Sequence, residues 1–313
     1  MSKLLVTSSP HAKSPVTTSR IMLDVVISLV PALVAAVVIF GMRALLVVSV
    51  CVATCVISEL AYEKLMKRPV TINDFSAVVT GVLLAYNLPS TIPLWQAVFG
   101  SFVAIILVKQ LFGGLGKNFA NPAITARIVM FLAFSATMST FEPVGGALAS
   151  AHDAVTQATP LALISGGRMN EMPPILDLFI GKRGGDLGET STLAILIGGI
   201  YLLVRRVITW HIPVSYIAVV FGLTALLGQE PVYQVLSGGL ALGAIFMATD
   251  YVTSPQTALG KLVFGVGAGL ITVLIRVYGS YPEGVSFAIL LMNILTPYIN
   301  RFTLHRPMGG KRA

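Results

Sequence analysis

The stretch Gly113-Gly114-Leu115-Gly116-Lys117-Asn118-Phe119-Ala120-Asn121-Pro122-Ala123 gathers residues able to hold a polar ligand against the backbone. Its glycines permit unusual turns, and Pro122 suits the first position of a helix whose free amides would face an anionic or polar group beside Lys117, Asn118 and Asn121. A tight re-entrant turn that needs only the glycines accounts for the same residues. Thr249-Asp250 and Tyr281-Pro282-Glu283-Gly284, with Asn293 further on, carry the same two readings. Lys117, Asn118, Asn121, Asp250 and Glu283 therefore stand together as candidates for a ligand or ion site. Asp24, Asp250 and Glu283 are the carboxylates to examine for ion coupling. Asp24 lies about a turn into an apolar run, where pairing with Arg20 at i,i−4 is the favoured arrangement.

Other chemistries have little to stand on. His11, His152, His211 and His305 are scattered, with no two at ligand spacing, so the chain alone offers no metal site. Cys51 and Cys55, four apart, share one helix face as small buried hydrophobes. As a pair they fall short of a four-cysteine cluster, which only a partner chain could complete.

The elements that must position these residues are membrane helices. Hydrophobic residues make up 55% of the 313 and charged residues 11%, with a mean hydropathy of +0.85, too little polar surface to coat a soluble globule. The net charge of +8 is dispersed in small groups between apolar runs, a topological bias and not a nucleic-acid stripe. The expected fold is an all-α polytopic membrane protein. Apolar runs place helices near 21–40, 44–62, 74–88, 94–112, 121–137, 190–205, 211–228, 233–249, 259–278 and 284–300. The first of these is too long for a signal-peptide core and reads as a retained helix. Asn73-Asp74, Asn121-Pro122 and Glu189-Thr190 carry helix-start signals.

Ten spans alternate sides, and a cytoplasmic N-terminus leaves only Arg43, Arg168, Lys182, Arg183 and Arg276 outside, which orients the chain. Residues 1–20 are then a cytoplasmic tail, 21–138 a first five-helix repeat, 139–189 an extracytoplasmic loop, 190–300 a second five-helix repeat and 301–313 a basic cytoplasmic tail. The halves look alike: Phe75-Ser76 and Leu236-Ser237 each open a span, and the next spans end in Lys109-Gln110 and Arg276-Val277. Five helices per half make the second copy inverted, an architecture that builds central sites from broken helices.

The loop contains Asp153-Ala154-Val155-Thr156-Gln157-Ala158-Thr159. A Thr-x-Ala-Thr sequence with an Asp three residues ahead resembles the flavinylation motif of the RnfD/NqrB family, found in Rnf complexes and Na⁺-translocating NADH:quinone oxidoreductases. The likeness extends in order through Ser8-Ser9-Pro10-His11, Thr18-Ser19-Arg20, the Gly113-to-Ala123 run, Trp210-His211-Ile212-Pro213, Thr249-Asp250 with Thr253, and Tyr281-Pro282-Glu283-Gly284-Val285 with Asn293. The region before the motif is shorter than in some longer relatives, which leaves the contacts around the flavin open.

The resemblance implies a subunit of a bacterial inner-membrane complex that moves electrons between ferredoxin and NAD with Na⁺ or H⁺ transport. It implies FMN held covalently on Thr159, with Thr156, Ala158 and Asp153 completing the motif. It also implies a second, non-covalent flavin such as riboflavin, for which the turn near Lys117 is the candidate. The implied partners are a flavoprotein subunit, iron–sulfur membrane subunits, NADH- and ferredoxin-binding subunits and a flavin transferase, set in membrane lipid and without nucleic acid. No nucleotide-binding glycine fingerprint follows a strand, so NADH and ferredoxin react on other chains. A transporter or channel without redox activity explains the helices but not the threonine motif. A purely structural scaffold predicts that Thr159 can be exchanged freely.

Overall fold

The computed structural model describes residues 17–141, 159–279, 281 and 283–304. Asp153, Thr156, Ala158 and, of the tails, residues 1–16 and 305–313 lie outside them. The helices in chain order are α1 Thr18–Phe40, α2 Met42–Leu65, α3 Ser76–Tyr86, α4 Leu94–Phe102 continued by a π-helical stretch Val103–Gln110, α5 Pro122–Ala133 and α6 Ser135–Met138. They continue with α7 Pro160–Ser165, α8 Ile175–Ile180, α9 Thr192–Val204, α10 His211–Leu226, α11 Pro231–Leu236, α12 Leu240–Leu242 with a π-helical stretch Gly243–Met247, α13 Ala258–Tyr278 and α14 Val285–Thr303. α1, α2, α13 and α14 are long and apolar enough to cross a membrane, and five further runs form the shorter apolar helices Ser76–Tyr86, Leu94–Gln110, Pro122–Ala133, Thr192–Val204 and His211–Leu226. The expected span at 233–249 is not one helix: it breaks at extended Ser237 and at Gly238, whose φ of 65° is left-handed, between α11 and α12.

Alongside buried apolar residues such as Leu29, Ile39 and Phe264, the helices bury many small and polar residues and expose many large apolar ones. α1 turns Leu23, Ile27, Val30, Val34 and Val38 outward at helical spacing while burying Ser28, Ala32 and Ala36. α13 likewise exposes Leu259, Val263, Val266, Leu270 and Leu274 and buries Gly260, Gly265, Ala268 and Gly269. With hydrocarbon outside, apolar bulk gains nothing by facing inward, and helices associate by close backbone approach across small residues. At Gly265 an added Cβ would collide with Ser215 Oγ and lie 2.9 Å from the Ile212 carbonyl oxygen of α10.

α3 is eleven residues long, about 16 Å at the helical rise, so it covers roughly half a hydrocarbon core. Nine of its residues are buried. It stops at Asn87, whose Nδ2 donates to the Leu83 carbonyl at 2.6 Å, and the chain continues without helix through Leu88 and Pro89. That irregular backbone needs partners of its own away from water. The connection before α9 supplies them: the Leu187 amide donates to Leu88 O at 3.0 Å and the Gly188 amide to Tyr86 O at 2.9 Å. The long connection expected to be a loop thus contains two short helices, and its last part, from Arg183 to Ser191, is buried in the helical body. Asn121 caps α5 as expected, accepting from the amides of Ala123 at 3.0 Å and Ile124 at 3.4 Å. α9 is capped by Ser191 rather than opened at Glu189-Thr190.

The expected pairing of Asp24 with Arg20 is not formed. Asp24 is buried against α9, where Arg205 NH2 reaches its Oδ2 at 3.1 Å and the Tyr201 hydroxyl donates to Oδ1 at 3.0 Å. Arg20 is exposed one turn away. The i,i−4 rule describes side chains on an open helix face, and this face is covered by a neighbour.

Gly265→Val should cost at least about 3 kcal/mol through overpacking at the α10–α13 contact. Gly222→Val, on α10 with open space around its Cβ, serves as control. Thermal unfolding in detergent followed by size-exclusion should show a lowered midpoint only for the first.

A candidate cofactor cavity and the charge network behind it

α5 crosses the bundle centre with Arg127 a turn and a half beyond its cap, and five groups from three chain segments surround that guanidinium. Nε donates to Asn87 O at 3.3 Å, NH1 to Ser286 Oγ at 2.6 Å, and NH2 to Asp186 Oδ2 at 2.7 Å and to Glu283 Oε2. The fifth group, Glu189, adds its charge close by, since single carboxylate oxygens of Asp186, Glu189 and Glu283 lie within 4.8 Å of one another. Arg183 and Arg276 bring the formal count to three cations and three anions. Both bond mainly to backbone: Arg183 NH2 donates to Glu189 O at 2.6 Å, and Arg276 donates to Gln234 O at 2.6 Å and Ser237 O at 3.2 Å. Buried Asp186 Oδ1, Arg183 Nε and NH1, and Arg276 Nε have no hydrogen-bond partner among the described residues.

Three carboxylates crowded around one directly bonded arginine cannot all ionise freely. Burial, with Glu283 and Asp186 adding repulsion, pushes the Glu189 carboxyl well above the usual range. Burial also raises Asp186, to about 6, against the pull of Arg127. Glu283, which burial alone would raise, is held below its ordinary value by Arg127 and by the Gly239 amide donating to its Oε1 at 2.7 Å. Burial and repulsion thus favour the neutral form of Glu189, while Arg127 and the Gly239 amide favour the charged form of Glu283.

Glu189 and Glu283 form one wall of a cavity of about 350 Å³. Phe131 and Phe287 also line it, with Tyr281 stacked on Phe287 at a centroid distance of 5.9 Å and an angle of 17°. Thr159 lies on the same cavity lining. It begins α7, its Oγ1 accepting from the Ala162 amide at 3.3 Å, with Pro160 at the first helical position.

A second, narrower cavity of about 90 Å³ lies towards the start of α5, lined by Asn118, Asn121, Thr249, Asp250, Ser76 and Lys109. Asn121 donates through Nδ2 to Met247 O at 3.4 Å. The Asn293 amide, turned to satisfy its neighbours, donates to Thr253 O at 3.2 Å and accepts from the Asn121 amide at 3.1 Å. Buried Lys109 pairs with Glu59 at 2.7 Å and donates to Ser76 Oγ at 2.6 Å. Of the residues grouped from sequence, Asn118, Asn121 and Asp250 meet here and Glu283 belongs to the wider cavity. Lys117 is exposed and lines neither. Gly113, Gly114 and Gly116 all have left-handed φ, so the backbone itself demands them.

Arg127, Asp186, Glu189 and Lys109 are the residues that sequence reasoning passed over. Arg127 and Lys109 carry a readable signal, a charge inside an apolar run. Asp186 and Glu189 sit among other polar residues of a connection and carry none.

Fold and site together define a polytopic helical membrane protein whose centre is a charge network beside an aromatic-lined cavity. The chain belongs to the NQR2, RnfD, RnfE family, which it matches over residues 5–309. It is 49% identical to a subunit of the Na(+)-translocating ferredoxin:NAD(+) oxidoreductase complex of Acetobacterium woodii, over 98% of this chain and 95% of that one. It is 40% identical to the corresponding subunit of the proton-translocating ferredoxin:NAD(+) oxidoreductase complex of Clostridium ljungdahlii, over 98% and 96%. With the corresponding subunit of the ion-translocating oxidoreductase complex of Stutzerimonas stutzeri the identity is 39%, over 93% and 92%.

Arg127→Ala should destabilise the protein by about 3–5 kcal/mol, because it strands a buried carboxylate cluster; the thermal midpoint in detergent reports it. Because the folded Asp186 carboxyl titrates at about 6, above its ordinary 3.8, the folded chain binds a proton that the unfolded chain has released between those values. Its contribution favours folding below about 4 and is lost as pH rises to about 6, a change on the order of 3 kcal/mol. Asp186→Asn removes that dependence, so its melting temperature minus that of the parent should rise from pH 4 to pH 7.

Proposed function

We propose that this chain is a membrane subunit of an ion-translocating electron-transport complex working between ferredoxin and NAD, and that it carries FMN through a phosphoester on Thr159. The relatives named above support the first part. The observation that carries the second is that Thr159, the last residue of the Thr156-Gln157-Ala158-Thr159 motif, lies on the lining of a cavity of about 350 Å³ that Phe131, Phe287, Glu189 and Glu283 also line. These residues fit a tethered planar group: the hydroxyl is the attachment point, Phe131 and Phe287 offer apolar faces, and Glu189 and Glu283 offer hydrogen-bonding edges. Bound there, FMN supplies the one- and two-electron chemistry that no side chain of this protein can perform. The protein anchors the group, shields it, and sets the charge around it. NADH and ferredoxin react on other subunits. A flavin transferase installs the FMN, and a flavoprotein subunit and iron–sulfur subunits exchange electrons with it.

The proposed topology has ten spans in a bacterial inner membrane, with both termini cytoplasmic and the 139–189 connection outside. Two inverted five-helix repeats, 21–138 and 190–300, make up the body. Correspondences between the halves support the repeat. Lys109, near the end of the fourth helix of the first half, reaches back to Ser76 at the start of the broken third, and Arg276 of α13 reaches Ser237 in the same way. Sidedness is supported by the clustering of alternate connections. Arg43, after α1, donates to Ser90 O at 2.8 Å, and Thr91 to Thr140 O at 3.0 Å. At the opposite end Arg68 donates to Gln110 O at 3.4 Å, and the Gln256 amide to Asn300 at 3.0 Å. The proposed second flavin, such as riboflavin, has its candidate place at the narrow cavity of Asn118, Asn121 and Asp250 rather than at Lys117.

The test is co-expression with a flavin transferase in an exporting host, denaturing gel electrophoresis under ultraviolet light, and peptide mass analysis. An FMN-sized adduct should appear on the peptide containing Thr159. Thr159→Val should lose the adduct and the fluorescence while the protein still inserts, its structural cost being one helix cap of about 1 kcal/mol. Fluorescence that survives the substitution would remove Thr159 from the proposal.

A further inference from the structure

Where α9 ends and α10 begins, two hollows lie side by side on the outer surface of the bundle. One, of about 280 Å³, is lined by Arg206, Thr209, Ser254, Gln256 and Lys261. The other, of about 480 Å³, is an apolar groove lined by Leu203, Pro213, Ile217, Ala218 and Phe221. Ile208 belongs to both, so the groove and the polar hollow adjoin. The charge there is one-sided: no carboxylate lines either hollow, and neither Arg206 nor Lys261 forms an ion pair among the described residues. Arg205 next door is engaged by Asp24, whereas Arg206 is exposed at a left-handed φ of 57° and Lys261 bonds only to Thr209 Oγ1, at 3.3 Å. Trp210, stacked on His211 and more than half exposed, marks this level as the membrane–water boundary.

We propose that these hollows form a structured binding site for an anionic glycerophospholipid, with its phosphate between Arg206 and Lys261 and an acyl chain in the groove of α9 and α10. The ligand must be amphiphilic because the site is. A groove at hydrocarbon depth takes an alkyl chain, while two cations and several hydroxyl and amide groups at headgroup depth take a phosphate. A zwitterionic headgroup would bring an ammonium for which no acidic side chain is present. A helix of another subunit would cover the groove but leave both cations unanswered. The site is independent of the flavin proposal and lies at the end of the bundle that the proposed topology puts in the cytoplasm, where the surface bears anionic lipid.

The experiment uses the intact complex in nanodiscs containing spin-labelled phosphatidylglycerol or, separately, spin-labelled phosphatidylcholine, with the motionally restricted fraction measured in each. Native mass spectrometry of the detergent-purified complex identifies the lipid retained. Phosphatidylglycerol should be favoured over phosphatidylcholine by roughly thirty-fold, the effect of two basic residues at a membrane surface. The double variant Arg206→Gln, Lys261→Gln should bind both lipids equally. Ala218→Phe, which fills the groove from the exposed side and leaves the cations intact, should release the restricted lipid altogether. Equal binding of the two lipids to the parent, a preference that survives the double variant, or a groove from which lipid is excluded by a neighbouring subunit would each overturn the proposal.

Discussion

A single guanidinium, that of Arg127, joins stretches of chain that the sequence sets far apart. It bonds to the break after α3, to the connection before α9 and to the start of α14, so that both halves of the molecule close on it. In a medium without water this is a constraint as much as an attraction. Asn87 leaves a carbonyl free where α3 stops, Asp186 and Glu283 cannot stay charged alone, and an arginine cannot release its proton. Each of these groups is tolerable only because the others are present. The cavity beside Thr159 inherits its polar wall from the same cluster, since the Glu283 that bonds Arg127 is also the Glu283 that lines it.

The same solvent logic orders the periphery. Because hydrocarbon surrounds the helices, their close contacts rely on small residues even though the core also holds leucines, isoleucines and aromatic rings, and α1 with α9 and α10 with α13 meet through glycine-to-backbone approaches. Gly198 of α9 rests on the Ser28 carbonyl, as Gly265 does on α10. Polar side chains taken from water into such an interior need partners, as buried Lys109 has in Glu59 and buried Asp24 in Arg205.

How much of this can be read from the letters follows from range. Helices are legible because apolar run length is a local property, and so are the shortness of α3 and the cap at Asn121, each signalled within a few residues. Asp24 is not, because its partner lies on α9, far along the chain, while a plausible but exposed Arg20 stands one turn away. Glu283 stands out for its polar surroundings and groups by type with Asn121 and Asp250, yet the fold sends it to the other cavity. Lys117 looks like the basic residue of the glycine turn, whereas the cation at that cavity is Lys109, buried at the end of the π-helical stretch. Charge within an apolar run says that a partner exists; nothing in one sequence says where.

The placement of the two cavities on α5 has a consequence of its own. Asn121 opens the helix at the narrow cavity and Arg127 stands six residues on at the wide one, a rise of about 9 Å. Charges separated by such a distance in a protein interior interact by about 2 kcal/mol at an effective dielectric of 20. Between them the Asn87 amide contacts Met247 Sδ at 3.7 Å and the Asn121 amide contacts the Met247 carbonyl, so the gap is bridged by packed side chains. A change of charge in the proposed cofactor cavity is therefore felt at Asp250 through the field alone. That coupling needs no moving part, only the low dielectric that the surrounding apolar helices provide.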